Sequence, residues 1–151
     1  MSSSGGRGDW PVAPRTSETE FFWNGVDRRE LRIQVCEACG RLRHPPRPSC
    51  PSCGSLDWGY RVMRGTGTIY TFAVHHRPAV PGPSVPYVSA IVELDEGVRM
   101  LSNVVGSPFD QLAIGVPVSV TFETVQPGLT LPYFAVRQAH HPSSLTNDRN
   151  V

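Results

Sequence analysis

The segment CEACGRLRHPPRPSCPSCG, residues Cys36–Gly54, contains all four cysteines of the chain as two C-x-x-C pairs with ten residues between them. Each pair places two thiols on one tight turn, and two such turns complete the tetrahedral shell that zinc prefers. Gly40 and Gly54 follow the second cysteine of each pair, where the turn favours a positive φ. The spacing therefore predicts a metal site formed by Cys36, Cys39, Cys50 and Cys53. Zinc is the expected metal, and iron is also compatible with four thiolates.

A closed shell of four thiolates leaves no coordination position for water or substrate, so we expect the metal to stabilise the fold and not to catalyse. Two disulfides are an alternative that a reducing compartment disfavours. A redox C-x-x-C is disfavoured because there are two pairs and no βαβ context. The metal would hold together a segment that is too short to have its own core.

The positive charge of the chain is concentrated around these cysteines. Lysine is absent, and arginine supplies all 14 positive charges of the 151 residues. Residues 28–64 carry a net charge of +5, whereas residues 65–138 carry −2. With 39% hydrophobic residues, the chain has enough apolar material for one ordinary domain.

The two ends of the sequence differ in composition from the middle. Residues 1–15 are rich in Ser, Gly and Pro and lack the apolar run of a signal peptide, which predicts a flexible lead or linker. Residues 140–151 are polar and are predicted to be a disordered tail. No stretch approaches the roughly 20 apolar residues that span a bilayer. We therefore expect a cytoplasmic protein.

The stretch TSETEFFWNG, residues 16–25, predicts a short helix. Ser17 and Glu20 fit a capping box, and Gly25 suits the C-terminal stop. The helix would present three consecutive aromatic residues, Phe21, Phe22 and Trp23. Since these point to different sides of so short a helix, one docked face cannot bury all of them.

The remaining segments favour β-structure. Residues 30–35, ELRIQV, alternate Leu31, Ile33 and Val35 with polar neighbours. Five later segments with period two or β-branched runs follow at 67–74, 87–94, 99–105, 116–125 and 133–138. They predict a small closed or nearly closed barrel.

The segments that connect these strands also carry signals. Residues 94–100, LDEGVRM, favour a tight hairpin. Residues 107–115 favour one helical turn with Ser107 as cap and Pro108 at the first position. The Pro-rich loop at residues 75–86 is too long for a plain hairpin, and such loops are often binding elements.

This order of features resembles a known family. A helix with F-W, a strand, C-x-x-C-G, PPR and C-P-x-C-G-S, followed by GTGTIYTF and IGVPVSVTFE, is similar to the zinc-ribbon plus OB-fold proteins of domain of unknown function family thirty-five. The resemblance runs from about Phe21 to Arg137, and its most specific parts are residues 43–55 and 93–106. It implies a helix and zinc ribbon at 16–59 followed by a five-stranded OB-fold barrel at 60–139.

The resemblance also implies a function. Members accompany thiolase-like proteins that act on acyl-CoA thioesters, as non-catalytic partners or fused domains. Some form the C-terminal half of a hydratase subunit in actinobacterial steroid side-chain breakdown, where the partner is a thiolase-fold retro-aldolase. The expectation is a non-catalytic subunit of a hetero-oligomer that shares an acyl-CoA substrate with its thiolase-like partner.

Two groups of residues are candidates for binding. Phe21, Phe22 and Trp23 either dock the helix on the barrel or anchor another protein, since aromatic residues dominate interface hot spots. Arg41, Arg43 and Arg47 are either solvated charges or contacts to the phosphates of coenzyme A, because the guanidinium fork suits phosphate oxygens.

No catalytic constellation is visible in the sequence. The cysteines are committed to metal, and adjacent His75 and His76 at a strand end are expected to point one inward and one outward. No Ser/His/Asp or paired-carboxylate pattern is legible, so we predict that the chain alone is not an enzyme.

The competing hypothesis is a single-stranded nucleic-acid module, because OB barrels bind strands with a basic groove and stacking aromatics. Tyr70, Phe72 and Tyr87 could stack on bases. The net charge of −2 over residues 65–138 disfavours this function.

Overall fold

The computed structural model describes residues 10–77 and 82–138. One helix, α1 (Glu20–Asp27), precedes eight strands. These are β1 (Arg32–Cys36), β2 (Leu42–Arg43), β3 (Trp58–Val62), β4 (Thr66–His75), β5 (Tyr87–Leu94), β6 (Arg99–Val105), β7 (Pro117–Gln126) and β8 (Leu129–Val136). The mainly-β class is confirmed. The predicted lead up to residue 9, the predicted tail and residues 78–81 of the Pro-rich loop lie outside the described residues.

The strands form two sheets. The ribbon is a three-stranded antiparallel sheet in the order β2-β1-β3. The other five strands close into a barrel in the order β4-β5-β6-β8-β7, in which only the β6–β8 pair is parallel among the described strands. The predicted five-stranded barrel is therefore confirmed. The expected domain boundaries stay predictions, and β3 crosses the one at 59/60.

Period-two alternation explains how the barrel fills its interior. In β5 the side chains of Val88, Ala90, Val92 and Leu94 are buried, while their neighbours are partly exposed. The predicted hairpin joins β5 to β6 through a turn at Gly97, whose φ is +93°. A short 3-10 turn, Phe109–Gln111, lies between β6 and β7. It is preceded by Pro108 without a side-chain cap, so the predicted Ser107 cap is wrong.

A single hydrophobic core runs from the barrel into the ribbon. Phe22 and Val26 of α1 and Leu31 and Ile33 of the ribbon belong to the same buried cluster as the barrel residues, including fully buried Phe134. The base of the ribbon and the helix are thus packed on the barrel. The cysteines lie toward the other end of β1, beyond this shared core.

The helix forms as expected but with different ends. It begins at Glu20 with Thr19 at the N-cap, and the Thr19 hydroxyl accepts a hydrogen bond from the Thr16 amide at 3.0 Å, so the predicted Ser17 capping box is wrong. Gly25 lies inside the helix and does not end it. A Cβ there would be 2.7 Å from the side chain of Arg32, so the glycine is required for packing. Among residues 10–77 and 82–138, no helix has the length and apolar character needed to cross a membrane.

A strand forms where the alternation predicts one, but the polar residues within β1 are buried. Gln34 is fully buried and Arg32 is 8% exposed, whereas Val35 is only half-buried. The reason is that α1 and the segment after β2 cover both faces of the strand.

Candidate functional site: metal site and two grooves

The four cysteine thiols converge at the tip of the ribbon. All four Sγ atoms lie within 4.8 Å of one another, with Cys36 Sγ 3.6 Å from Cys53 Sγ and Cys39 Sγ 3.6 Å from Cys50 Sγ. Thiolates bound at about 2.3 Å to a tetrahedral zinc are about 3.8 Å apart, whereas disulfide sulfurs are about 2.05 Å apart. The spacing of the sulfurs therefore fits a metal site and not two disulfides.

The backbone of the two turns prepares the thiols for metal binding. Gly40 and Gly54 have φ of +76° and +74°, as the motif predicts. Their amides donate to the carbonyls of Cys36 and Cys50, each at 2.8 Å, which closes both turns. The amides of Cys53 and Ser52 lower the pKa of Cys50 to about 6.

The negative charge of the four cysteine thiolates also favours the binding of a cation. The Ser55 amide lowers the pKa of Cys53, but the Cys36 thiol, burial, and the Cys39 and Cys50 thiols together outweigh it and raise that pKa to about 11. Crowded thiolates repel one another, and a divalent ion removes this repulsion. Together with the sulfur spacing, this supports a structural zinc site with Cys36, Cys39, Cys50 and Cys53 as ligands.

Buried polar side chains fix the segment between the two cysteine pairs. Gln34 accepts a hydrogen bond from the Arg47 amide at 2.8 Å and donates to the Arg47 carbonyl at 3.0 Å. Arg43 is 6% exposed and donates to the same carbonyl at 3.0 Å. The sequence reasoning missed Gln34, although a glutamine in an otherwise apolar strand was a visible signal. Arg43 is therefore a buried residue whose side chain holds the Arg47 backbone in place.

The three candidate arginines line one groove of about 410 Å³, which we call the arginine groove. Its opposite wall is the β5–β6 hairpin with Glu93 and Arg99, whose side chains form an ion pair at 2.8 Å. The Arg99 guanidinium also lies over the Tyr70 ring, 3.7 Å from its centroid. Arg41 and Arg47 are exposed, and Arg41 donates to the Ser52 hydroxyl. The groove therefore carries an excess of positive charge.

The three aromatic residues of α1 have different environments. Phe22 is buried in the core, 5.2 Å from Trp23 and 5.3 Å from His44 between ring centroids. Phe21 is half-buried against two residues of β3, Trp58 at 5.3 Å and Tyr60 at 5.8 Å. We call Phe21, Trp58 and Tyr60 the ribbon aromatic cluster. Tyr60 is 47% exposed, so this cluster presents aromatic surface to solvent.

The structure pairs a histidine with a serine that sequence reasoning did not single out. His75 Nε2 and Ser89 Oγ are 2.7 Å apart, and the His75 ring stacks on Tyr87 at 4.5 Å. His75 is half-buried and His76 is exposed. In the part of the chain that the structure describes, no carboxylate is hydrogen-bonded to His75, so this pair lacks the third member of a triad. Its partners come from different strands, which hid it in the sequence.

A second groove, which we call the apolar groove, lies on the outer face of β5 and β6 and has a volume of about 660 Å³. The segment at residues 10–14, α1, Pro45–Pro46 and β8 surround it. His44 and Pro45 line both grooves. Burial lowers the pKa of His44 to about 4, so its ring is neutral at pH 7.

Two family models match consecutive parts of the chain. The family model for the ChsH2 rubredoxin-like zinc ribbon domain matches residues 23–59. The family model for the ChsH2 C-terminal OB-fold domain matches residues 60–123.

Two curated relatives and one solved structure are similar to the chain. The 3-oxo-4,17-pregnadiene-20-carboxyl-CoA hydratase alpha subunit of Mycobacterium tuberculosis is 50% identical over 76% of this chain, which spans 37% of that subunit. A DUF35 domain-containing scaffold protein of Methanothermobacter thermautotrophicus is 34% identical over 73% of this chain and 85% of that protein. A chain of the Ltp2-ChsH2(DUF35) aldolase superposes with a TM-score of 0.78 and 42% identity, covering 83% of this chain and 98% of that one.

Proposed function

We propose that this chain, which belongs to the DUF35 family of zinc-ribbon and OB-fold proteins, is a non-catalytic scaffold subunit that docks on a thiolase-like enzyme acting on acyl-CoA thioesters. The observation that carries the proposal is the likeness to a chain of the Ltp2-ChsH2(DUF35) aldolase over 98% of that chain. The scaffold description of archaeal relatives at 32% and 34% identity supports the same role.

The more specific proposal is a retro-aldolase partner that cleaves a steroid side-chain CoA thioester. It draws on the steroid-CoA substrate named for the hydratase alpha subunit of M. tuberculosis. A retro-aldol step breaks one carbon–carbon bond of a β-hydroxyacyl-CoA. The bond between the α- and β-carbons breaks, the β-hydroxyl loses its proton and becomes the ketone of a ketosteroid, and the α-carbon takes up a proton to give propionyl-CoA. The catalytic residues would belong to the partner.

Aromatic residues at the junction of α1 and the ribbon are the proposed docking surface. Phe21 and Trp23 are partly exposed, and Phe21 stacks within the ribbon aromatic cluster. Such rings lose little conformational freedom on binding when they are already packed on a rigid support. Phe22 is buried and would act by holding α1 in place.

The arginine groove is the proposed contact for the phosphates of coenzyme A. Arg41 and Arg47 are exposed, and Arg43 lies behind them with its Nη2 bonded to the Arg47 carbonyl. Guanidinium forks suit phosphate oxygens, so the two exposed side chains would make the contacts and Arg43 would position the loop.

Co-expression with a candidate thiolase-like protein from the same source organism tests the scaffold role. We expect a stable complex on size-exclusion chromatography and carbon–carbon bond cleavage only when both proteins are present. A partner that is soluble and fully active alone would contradict the proposal.

The isolated chain should not turn over acyl-CoA substrates. Its His75–Ser89 pair has no described carboxylate partner, so neither His75→Ala nor Ser89→Ala should change a background rate. Stoichiometric thioesterase or lyase activity that either substitution abolishes would show that the chain is itself an enzyme.

A further inference from the structure

The apolar groove has the size and position of a small-molecule site. Its volume of about 660 Å³ lies within the range of roughly 300–1,000 Å³ that ligand pockets occupy. It uses the outer face of β5 and β6 together with Pro83 of the loop after β4, the part of an OB barrel through which many relatives of the fold bind ligands.

The side chains around the apolar groove select against charged ligands. Among the described residues that line it, none is Arg, Lys, Asp or Glu. Aromatic rings supply much of the wall, from Trp10, Trp23, Tyr87 and Tyr133. Removing a charge from water is unfavourable when the groove offers it no partner. The groove therefore suits a neutral, largely apolar molecule.

Prolines also restrict the backbone around the apolar groove. Prolines contribute from four separate parts of the chain, at Pro11, Pro45, Pro83 and Pro132. Preformed walls of this kind favour a rigid ligand, because neither side loses much conformational entropy on binding. A flexible acyl chain would lose the rotational freedom of its single bonds on binding, whereas a fused ring system has little such freedom to lose.

One side of the apolar groove offers hydrogen bonds. Asn103 lies on β6 beside Ser89 of β5, since the two residues are paired in the β5–β6 register. Ser89 in turn bonds to His75 at 2.7 Å. An amide and a hydroxyl placed together can bind a carbonyl or hydroxyl oxygen of an otherwise apolar ligand.

We propose that the apolar groove binds the neutral fused-ring portion of a steroid, with a ring oxygen directed toward Asn103 and Ser89. The assignment of the ring class rests on the proposed function, whereas the preference for a neutral, rigid ligand follows from the groove itself. In the complex, the subunit would then hold the substrate body while the partner acts on the side chain.

Binding of 4-androstene-3,17-dione to the zinc-loaded full chain tests the inference. Trp10 and Trp23 line the groove, so their fluorescence reports occupancy, and isothermal titration calorimetry gives the stoichiometry. We expect saturable binding of one steroid per chain. We expect 1-decanol, a flexible neutral ligand, to bind at least tenfold more weakly.

A matched pair of substitutions locates the site. Leu101 lines the groove and is 71% exposed, whereas Ile114 lies outside it and is 72% exposed. Leu101→Arg should weaken steroid binding at least tenfold and Ile114→Arg less than twofold. Leu101→Asp provides a second variant if the Leu101→Arg protein has lost its zinc or its native circular dichroism spectrum.

The outcomes separate this inference from the scaffold proposal. No saturable binding, equal binding of decanol, or equal effects of the two arginine variants would overturn the steroid site even if the complex with the thiolase-like partner forms. Steroid binding without complex formation would leave the site standing and contradict the scaffold role.

Discussion

Truncation of two neighbouring phenylalanines of α1 should affect different properties. Phe22→Ala should mainly lower stability, and Phe21→Ala should mainly lower the affinity for the partner. Phe22 is 7% exposed and packs in the shared core, so Phe22→Ala removes a buried ring and leaves a cavity. Such a change costs about 3–5 kcal/mol of folding free energy. Phe21 is half-buried and contacts two rings at 5.3 and 5.8 Å. Phe21→Ala loses two aromatic pairs at about 0.5–1.5 kcal/mol each and the burial of only part of its ring, so it should cost less than Phe22→Ala.

The affinity for the thiolase-like partner should follow the reverse order. If the ribbon aromatic cluster is a hot spot, Phe21→Ala should weaken the complex by at least ~2 kcal/mol, or about 30-fold in Kd. Phe22→Ala should weaken it less once the fraction of folded protein is taken into account. Tyr60→Ala, in the same cluster, should also weaken the complex, and Tyr70→Ala is its matched control because Tyr60 is 47% exposed on the ribbon and Tyr70 is 45% exposed on the barrel.

Urea unfolding of the zinc-loaded protein and titration calorimetry with the partner provide the two measurements. Equal losses of stability for the two alanine variants would refute the assignment of Phe22 to the core. An unchanged affinity for Phe21→Ala, or an equal loss for Tyr70→Ala, would place the interface elsewhere.

Three further predictions concern stability. Elemental analysis should find one zinc per chain, and Cys39→Ser should lose the metal and raise amide exchange in the ribbon before the barrel. Because burial lowers the pKa of His44 to about 4, the free energy of unfolding should fall as the pH drops from 6.5 toward 4, by on the order of 3 kcal/mol. His44→Gln should remove that part of the pH dependence, and an unchanged slope would count against it. Gly67→Ala should cost at least ~2 kcal/mol in urea unfolding, because its Cβ would lie 2.3 Å from the Glu93 carbonyl oxygen. Gly59→Ala meets only a flexible side chain at the same distance and should cost less than ~1 kcal/mol.

Local patterns were sufficient for the features that depend on local geometry. Two C-x-x-C turns constrain their own sulfurs, and the glycine after each pair has the expected positive φ. The period-two alternation in β5 marks the barrel interior directly, because adjacent strand residues face opposite sides. These features need no knowledge of what packs against them.

Features that depend on a second element were not predictable from the same patterns. The alternation in β1 carries no information about the segment after β2, which covers Gln34 and supplies both of its hydrogen-bond partners. Gly25 resembles a helix stop, yet its role is to admit the Arg32 side chain. The His75–Ser89 contact joins residues that are 14 positions apart, on β4 and β5. Each case depends on a contact with a residue in another element, and no local sequence pattern identifies that residue.

The separation of aromatic and cationic surface also bears on the nucleic-acid hypothesis. A groove for single strands places stacking rings and phosphate-binding cations along the same path. Here the apolar groove has the rings but no arginine among its described lining residues, and it shares only His44 and Pro45 of those residues with the arginine groove. A repeating base–phosphate polymer would have to leave one surface to use the other. A molecule with a neutral apolar body and a polyanionic end instead carries its charge at one end only. Such a molecule could place its apolar body in the apolar groove and its charged end in the arginine groove.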